Sequence, residues 1–401
     1  MLPVFALDLI EGNDCGFSIS QEMWRWRRLP ACGVHLQDAG IVFSSRCDTN
    51  LYSKVRKWLG GPGLALGHPI RSDGIISIPL NANECGVVCP VSESDWVEHL
   101  RRASAYSFFQ TPRWSGALCR FEPRFRDSTT LFAWDETSVL LPLVAIRKAP
   151  SLEILESMPW GTYGGWVAER GLTEEEERRC LRALLSVRRP QISIISWPGT
   201  ALSCKPDRFL DFETHRLDLS AGFGEIWARR YAPRHRTKIT KAQRSGLEAT
   251  IDNSTGGVQA YKRLYRESMR RWQGDLAFDP DFLDQWIDAP RDEVSLWLCL
   301  RQSEILAGAL IFYSPMEAHY WSGALDVQFS EFHPNNFLLS RTIEDAVERG
   351  CRTYNFASSA GLPGVIQFKE QFGPDVVPYR RSVFMHPLWR SVERVRRLLR
   401  P

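Results

Sequence analysis

The sequence predicts an α/β (α+β) protein in which one α/β unit occurs twice, behind an N-terminal extension. Two segments share the same order of patterns, namely hairpin, strand, helix and strand. The chain has 401 residues, of which 44% are hydrophobic and 11% aromatic, and this is enough for more than one packed core. We expect each unit to be a mixed, twisted sheet flanked by helices.

These patterns divide the chain into three parts. Residues 1–93 form an extension with weak strand signals and turns rich in Gly and Pro. Residues 94–203 form the first unit, and residues 204–401 form the second. The patterns in the extension predict no function for it.

The first unit opens with the hairpin pattern TTLFAWDETSVLLPLVAIR, in which the polar turn WDET separates two β-rich runs. A strand leads to Tyr163, and a charged helix LTEEEERRCLRALLSV follows. Thr173 is suited to cap this helix, because a run of Glu comes directly after it. The strand QISIISWPG closes the unit.

The second unit repeats this order with a different sequence. Its hairpin pattern is VSLWLCLRQSEILAGALIFY, with the polar turn RQSE. The strand AHYWSGALD, the helix NNFLLSRTIEDAVERG and the strand TYNFASSAG follow. Gly350 lies where the helix should end. We infer a tandem duplication of one α/β unit.

A basic segment at Arg229–Ile251 reads as a helix with no acidic residue before Glu248. Its cations include Arg230, Arg234, Arg236, Lys238, Lys241 and Arg244. The formal charge of the whole chain is only +3, so the basicity is local and does not indicate a DNA-binding protein. The segment is either a solvated basic face or a surface that binds phosphates.

The ends of the chain bear on localisation. The N-terminus MLPVFALDLIEGNDCGF lacks the basic start of a signal peptide, and no long uncharged apolar run follows, so we expect a cytoplasmic protein. The ten cysteines are scattered, which is typical of reduced core thiols. The basic amphipathic segment Trp389–Arg400 either docks as a terminal helix or makes a peripheral membrane contact.

A zinc site is the weaker of two interpretations of four residues near the N-terminus. Cys32 and His35 lie three apart, and Cys85 and Cys89 lie four apart, which together would make a tetrahedral ligand set. Neither spacing is the tight one of a zinc knuckle. We therefore predict no metal and interpret these residues as small buried side chains at strand ends.

Four stretches of the second unit resemble a known family. They are FGEIW, which begins at Phe223, RHRTKITKA, which begins at Arg234, RRW, which ends at Trp272, and FKEQFG, which begins at Phe368. The spacing between the second and the last is similar to that of FemAB-like proteins, a branch of the GNAT (Gcn5-related N-acetyltransferase) superfamily that commonly carries two such domains in tandem. The resemblance covers roughly residues 94–387.

The resemblance implies an acyltransferase that moves an acyl group to an amine. The donor would be acyl-CoA as a co-substrate, with no tightly bound cofactor, and the acceptor would be a cell-envelope or polysaccharide precursor held between the two units. Two alternatives stay open, namely an aminoacyl-tRNA-dependent aminoacyltransferase and a catalytically silent binding protein. The acidic helix start of the first unit suits a structural or acceptor-binding role better than a phosphate site.

The candidate site residues follow from the resemblance and from local chemistry. Lys369, between two phenylalanines, would stabilise charge on the acyl oxygen or hold a phosphate, and Asp326, at a strand end, is a candidate general base. The segment FSEFHPNN has no glycine but can begin a helix, with Asn as the cap and free N–H groups for an anion. The predicted donor-binding residues are Arg234, Arg236, Lys238, Lys241, Asn335 and Asn336. Four further residues either line the acceptor cleft or belong to the core, namely Trp272, Tyr320, Trp321 and Phe368.

Overall fold

The structure is a computed structural model. It describes residues 34–37 and 40–43 (backbone only), 86–150, 152–160, 163–186, 189–200, 202–271, 278–359 and 361–391. Strands β1 (Val34–Gln37) and β2 (Gly40–Phe43) form an antiparallel hairpin. None of the helices in these ranges is long and apolar enough to cross a membrane.

The described residues of the first unit form short strands and three α-helices. Its strands are β3 (Gly86–Val88), β4 (Phe125–Asp127), β5 (Thr130–Trp134), β6 (Thr137–Leu141), β7 (Val144–Ala149), β8 (Leu152–Glu156), β9 (Val167–Ala168) and β10 (Gln191–Ile195). Its helices are α1 (Glu93–Arg102), α2 (Pro112–Phe121) and α3 (Glu174–Ser186), with a 3₁₀ turn at Phe108–Gln110.

In its described residues the second unit has longer strands and four α-helices of eight residues or more. Its strands are β11 (Arg208–Asp218), β12 (Glu248–Ile251), β13 (Val294–Arg301), β14 (Glu304–Tyr313), β15 (Glu317–Leu325), β16 (Thr353–Asn355) and β17 (Asp375–Met385). Its helices are α4 (Pro233–Arg244), α5 (Thr255–Arg271), α6 (Pro334–Glu348) and α7 (Pro363–Glu370). Shorter helical segments are Phe223–Glu225, the π-helix Ile226–Arg230, and the 3₁₀ helices Pro280–Trp286 and Val327–Phe332.

Strands of both units join in one mixed sheet. The order is β12-β13-β14-β15-β16-β11-β17-β10-β8-β7-β4, and the antiparallel pair of β17 and β10 links the units. Each unit contributes one parallel pair, β8 with β10 and β15 with β16. The predicted fold class, two similar α/β units with mixed sheets flanked by helices, is confirmed.

The strands of the first unit are divided between two sheets, which the sequence patterns do not predict. Strands β3, β5, β6 and β9 form a separate four-stranded sheet. The chain leaves it at Pro142, between β6 and β7, because proline cannot donate a hydrogen bond to a strand ladder. Because β3 pairs with β5, this sheet also includes residues 86–88. The domain boundaries remain predictions.

Several local predictions are confirmed. The turn of the second hairpin contains Gln302 and Ser303, both with positive φ. Thr173 and Glu176 form a reciprocal capping pair at the start of α3, and Gly350, with φ 81°, follows α6.

The prediction of one helix over Arg229–Ile251 is wrong. The segment contains the end of the π-helix, then α4, then β12. Pro233 begins α4 and disfavours helical geometry in the residue before it. Gly246, with φ 73°, then ends the helical run and leads into the strand.

The two units share an aromatic core. Trp114 of α2 is fully buried and stacks on Trp286 with ring centroids 5.7 Å apart. Phe108 of the first unit stacks on Phe312 of β14 at 4.6 Å. A second core lies under α4 and α6 and includes Ile239 and Ala242, as the helical spacing predicts.

Candidate active site

The candidate site lies where β15 and β16 stop pairing. Their parallel contact covers three residue pairs, from Glu317 with Thr353 to His319 with Asn355. Strand β15 continues to Leu325, and its register against β14 shifts at this point, so that Trp321 is an extra, bulged residue. Bulges of this kind are common next to active sites because they interrupt the ladder locally.

Helix α6 begins just beyond β15, and its N-terminus carries positive charge. The first N–H groups of a helix have no partner inside the helix, and the dipole attracts anions there. The Nζ of Lys241 donates to the carbonyl of Glu331, 3.3 Å away, in the turn before α6. Burial, followed by the charges of Lys238 and Lys241, lowers the pKa of His333 at the start of the helix.

Asn335 and Asn336 lie in the first turn of α6 and do not cap it, so that part of the prediction is wrong. The cap is His333, in the left-handed conformation with φ 55°, and Pro334 is the first helical residue. The Nδ2 of Asn336 lies 3.0 Å from Nδ1 of His235, which α4 contributes. A glycine-free loop can therefore still present the N-terminus of a helix.

The same contact brings together the motifs that carry the family resemblance. Gln371 of the FKEQFG stretch places its Oε1 3.3 Å from Nδ1 of His235 and 3.5 Å from Nζ of Lys238. Burial lowers the pKa of His235 to about 4, so its imidazole is neutral near pH 7. The structure thus places helices α4, α6 and α7 around one point.

The remaining predicted cations of α4 have different surroundings. Arg236 donates to the carbonyls of Trp227 and Ala228, which lie in the preceding π-helix. Arg234 and Arg244 are exposed on the surface. The structure therefore places Lys238 and Lys241 at the α6 N-terminus, whereas Arg236 bonds to the preceding helix.

Lys369 is a buried cation held by the main chain. Only 2% of its surface is exposed, and its Nζ donates to the carbonyls of Ala357 and Ser358 at 2.8 and 2.9 Å. The ammonium does not point into an open cleft, as the sequence suggests, but toward the turn that follows β16. Burial lowers the pKa of Lys369 to about 7.

His215 of β11 lies close to Lys369. Its side chain is buried, its Nδ1 is 3.4 Å from the hydroxyl of Ser359, and its Nε2 has no hydrogen-bond partner within the described ranges. Burial, and then the charge of Lys369, lower the pKa of His215 to about 4. The imidazole is thus neutral near pH 7.

A buried polar network, which the sequence patterns do not reveal, lies beside the β15–β16 contact. The Tyr163 hydroxyl donates to Oε1 of Glu317 and lies 3.4 Å from Nδ1 of His319. Nδ2 of Asn355 donates to the same hydroxyl at 2.5 Å, and Arg216 pairs with Oε2 of Glu317 at 3.1 Å. The signal in the sequence is the presence of Glu and His in an otherwise apolar strand.

The charge state of this network follows from its contacts. Burial would raise the pKa of Glu317, but His319, Arg216 and Tyr163 outweigh it and lower the pKa. Burial lowers the pKa of His319 despite the neighbouring carboxylate. The contacts with His319, Arg216 and Tyr163 therefore hold Glu317 ionised. Burial raises the pKa of Tyr163, so its proton stays available to Glu317.

The other predicted site residues lie at separate positions. The Asp326 carboxylate accepts from the Gln328 N–H at 2.9 Å and caps a 3₁₀ helix. Tyr320 and Trp321 are buried in different cores, which does not support a place in an acceptor cleft. Phe368 is half-buried and meets the Phe372 ring edge-on. Trp272 lies outside the described residues.

The zinc interpretation can be followed at one residue only. Cys32 and Cys85 lie outside the described residues, and only the backbone of His35 is described. The Sγ of Cys89 donates to the Ser128 carbonyl, 3.5 Å away. The described ranges contain no group of three or more His, Cys, Asp or Glu that could hold a metal ion.

Comparison with known proteins identifies the class. Residues 229–370 match the sequence profile of the family described as "Acetyltransferase (GNAT) domain". The second unit therefore contains a GNAT domain, and the resemblance to this superfamily is confirmed. No curated protein sequence matches the chain.

The fold of both units is similar to that of FemX. The crystal structure of FemX aligns with a TM-score of 0.60 at 13% identity, covering 76% of this chain and 98% of FemX. A conserved protein of unknown function from Bacteroides thetaiotaomicron aligns with a TM-score of 0.49 at 10% identity, over 73% of this chain and 97% of its own. A tandem GNAT protein from the clavulanic acid biosynthesis pathway aligns with a TM-score of 0.43 at 10% identity, over 74% of this chain and 98% of that protein.

Proposed function

We propose that the chain transfers an acyl group from acyl-CoA to an amine of an acceptor. The observation that carries this proposal is the α6 N-terminus, with Lys238 and Lys241 beside it, next to the point where β15 and β16 separate. Main-chain N–H groups and two ammonium groups suit the pyrophosphate of CoA. The resemblance to FemAB-like proteins suggests a cell-envelope or polysaccharide precursor as acceptor.

The proposed reaction is direct attack by the acceptor amine on the thioester carbonyl. The new C–N bond forms as the C–S bond breaks, the sulfur leaves as the thiolate of CoA, and the nitrogen loses one proton. Lys369 has three N–H donors, and the turn carbonyls accept from two directions. The third N–H would stabilise the oxyanion of the transition state. Asp326 remains a candidate for the proton acceptor.

Donor binding tests the proposal. Acyl-CoA at 100 times its dissociation constant should stabilise the wild-type protein by about 2.7 kcal/mol in a thermal-shift titration. Lys238→Ala and Lys241→Ala should weaken binding, because each removes a cation beside α6. Arg182→Ala is the matched control, since Arg182 is an exposed cation on α3 that pairs with Glu175. Equal donor affinity in all three variants would contradict the proposal that Lys238 and Lys241 bind the phosphates of the donor.

An aminoacyl-tRNA donor is the second candidate, and the exposed Arg234 and Arg244 favour it. They extend the basic surface of α4 beyond Lys238 and Lys241, as a longer polyanion would require. An RNA held by several phosphates should lose affinity steeply with salt, with a slope of about 0.7 to 0.9 per neutralised phosphate, whereas CoA should show a shallow dependence. A protein that binds neither donor would be a catalytically silent binding protein.

A further inference from the structure

Tyr163 is a residue of the first unit whose side chain extends into the candidate site. Tyr163 follows β8, its side chain is almost fully buried, and it packs edge-on against Trp197 and His319. Its hydroxyl contacts Glu317 and Asn355, which belong to the second unit. The contact therefore joins the two units at the β15–β16 pair.

A continuous chain of hydrogen bonds leads from this hydroxyl to Lys369. Asn355 donates to Tyr163 through Nδ2, and its Oδ1 accepts from the Ala357 N–H at 2.9 Å. The Thr214 hydroxyl donates to the same Oδ1 at 2.7 Å. The carbonyl of Ala357 accepts from Lys369 at 2.8 Å. Each partner in this chain is buried.

The turn in the middle of this chain has an unfavourable backbone conformation. Ala357 has φ 59°, which a residue other than glycine adopts only when its surroundings hold it there. Asn355 holds its N–H, and Lys369 holds its carbonyl. The side chains of Asn355 and Lys369 thus fix the Ala357 backbone on both sides. Asn355 in turn bonds to the Tyr163 hydroxyl.

We propose that Tyr163 is a positioning residue that sets the place of the Lys369 ammonium through Asn355 and the Ala357 turn. The proposal rests on the acyl transfer proposed above, in which Lys369 meets the oxyanion. The first unit would then contribute to the chemistry as well as to the fold. Tyr163 itself contacts no reacting atom.

The charge of Glu317 fixes which groups donate and which accept between Glu317, Tyr163 and Asn355. Glu317 is paired with Arg216 and can only accept, so the Tyr163 hydroxyl must donate to it. The oxygen of that hydroxyl then accepts from Asn355. This order turns the amide oxygen of Asn355 toward Thr214 and the Ala357 N–H. Phenylalanine at position 163 would keep the ring contacts and remove the contacts of the hydroxyl with Asn355, Glu317 and His319.

The test compares Tyr163→Phe with Tyr354→Phe. Tyr354 is also fully buried and also bonds through its hydroxyl, to Thr342 at 2.7 Å, but it precedes Asn355 in β16 and packs in the core under α6. Both variants lose one buried hydroxyl. Only Tyr163→Phe interrupts the chain of hydrogen bonds to Lys369.

Two readouts are expected to change in Tyr163→Phe. Amide exchange at Ala357 should accelerate by about tenfold or more, because Asn355, its acceptor, keeps only the longer Nδ2 bond, to Glu317 at 3.3 Å. The kcat for acyl transfer should fall by about tenfold with KM for acyl-CoA unchanged, since the α6 N-terminus is intact. In a Lys369→Met background, Tyr163→Phe should have no further effect on kcat. Tyr354→Phe should leave amide exchange at Ala357 as in wild type.

The exchange experiment needs no activity, so the two proposals can fail separately. Unchanged Ala357 exchange in Tyr163→Phe, or equal acceleration in both variants, would overturn the positioning role. Equal losses of kcat from Tyr163→Phe in the wild-type and Lys369→Met backgrounds would also overturn it. If wild type transfers no acyl group from acyl-CoA, the proposed function fails, and faster exchange in Tyr163→Phe alone still supports the link.

Discussion

At the scale of single residues, the main finding concerns the ammonium of Lys369. Burial lowers its pKa to about 7, and the ammonium bonds to main-chain carbonyls without a carboxylate among its contacts. Such an environment costs stability, which proteins tolerate mainly at functional sites. His215 of β11 and His319 of β15 lie near it. Burial lowers the pKa of both imidazoles, and the charge of Lys369 lowers it further.

Replacing Lys369 should affect turnover more than folding. If the ammonium stabilises the oxyanion, Lys369→Ala removes on the order of 3 kcal/mol, so kcat should fall by about 10² or more. Lys369→Arg should restore little, because a planar guanidinium does not fit the place of a compact ammonium. Steady-state kinetics beside circular dichroism would check this. A raised KM with unchanged kcat would instead indicate that Lys369 holds a phosphate.

The pKa of Lys369 also predicts how stability depends on pH. Its pKa is about 7 in the folded chain and near the ordinary lysine value of 10.5 after unfolding, so between these values the unfolded state binds more protons. The free energy of unfolding of wild type relative to Lys369→Met should therefore rise with pH across this window, by at most about 1.4 kcal/mol per unit. Urea denaturation from pH 7 to 10 measures the difference, and a constant value would contradict the burial of the ammonium.

The sequence predicts Lys369 as a site residue but does not predict the residues that surround it. The FKEQFG motif identified the residue, whereas the Tyr163 contact with Glu317 joins residues 154 positions apart. No local pattern encodes such a pair, because the two residues meet only when the strands of both units join in one sheet. The direction of the ammonium was missed for the same reason, since its carbonyl partners lie in a turn with no sequence signal.

At the scale of elements, helix α6 was predicted well and α4 less well. Pro334 and Gly350 bound α6 and are strong local signals. The charge pattern of Arg229–Ile251 does not predict the π-helix and the strand in this segment, because basic residues run through all three elements. Pro233 and Gly246 mark where one element ends and the next begins. Hairpin turns were predicted correctly, but the change of sheet after Leu141 depends on packing in three dimensions.

A charge change in the first turn of α6 should separate helix stability from donor binding. Asn335→Asp should stabilise the helix by about 0.3 to 1 kcal/mol through the dipole. The same carboxylate should weaken acyl-CoA binding by about tenfold, because it repels phosphate. Asn335→Ser, which stays neutral, is the control. Isothermal titration and denaturation together check both signs, and tighter binding by Asn335→Asp would exclude phosphates from this turn.

At the scale of the whole molecule, the joined sheet and the shared aromatic core make the two units interdependent. Trp114 comes from the first unit, while Trp286 and Phe312 come from the second. The pair β10–β17 connects their sheets directly. The sequence predicted the duplication but not this common core, since apolar patterns show which face is buried without showing its partner.

Loss of the shared core should therefore unfold both units together. Trp114→Ala should lower the free energy of unfolding by about 3 to 5 kcal/mol, because it leaves a large cavity among rings. Leu388→Ala is the control, since that side chain is 52% exposed and should change stability by less than about 0.5 kcal/mol. Denaturation followed by fluorescence and by circular dichroism should give coincident curves. Two separate transitions would mean that the units fold independently.

The structure of an acyl-CoA complex tests the central claim most directly. We expect the pyrophosphate to lie against the first turn of α6, with oxygens within hydrogen-bond distance of the N–H groups of Asn335 and Asn336 and close to Lys238 and Lys241. The thioester carbonyl should lie next to the end of the β15–β16 contact, near Lys369. A CoA molecule bound elsewhere, with the α6 N-terminus empty, would show that this helix does not bind the donor.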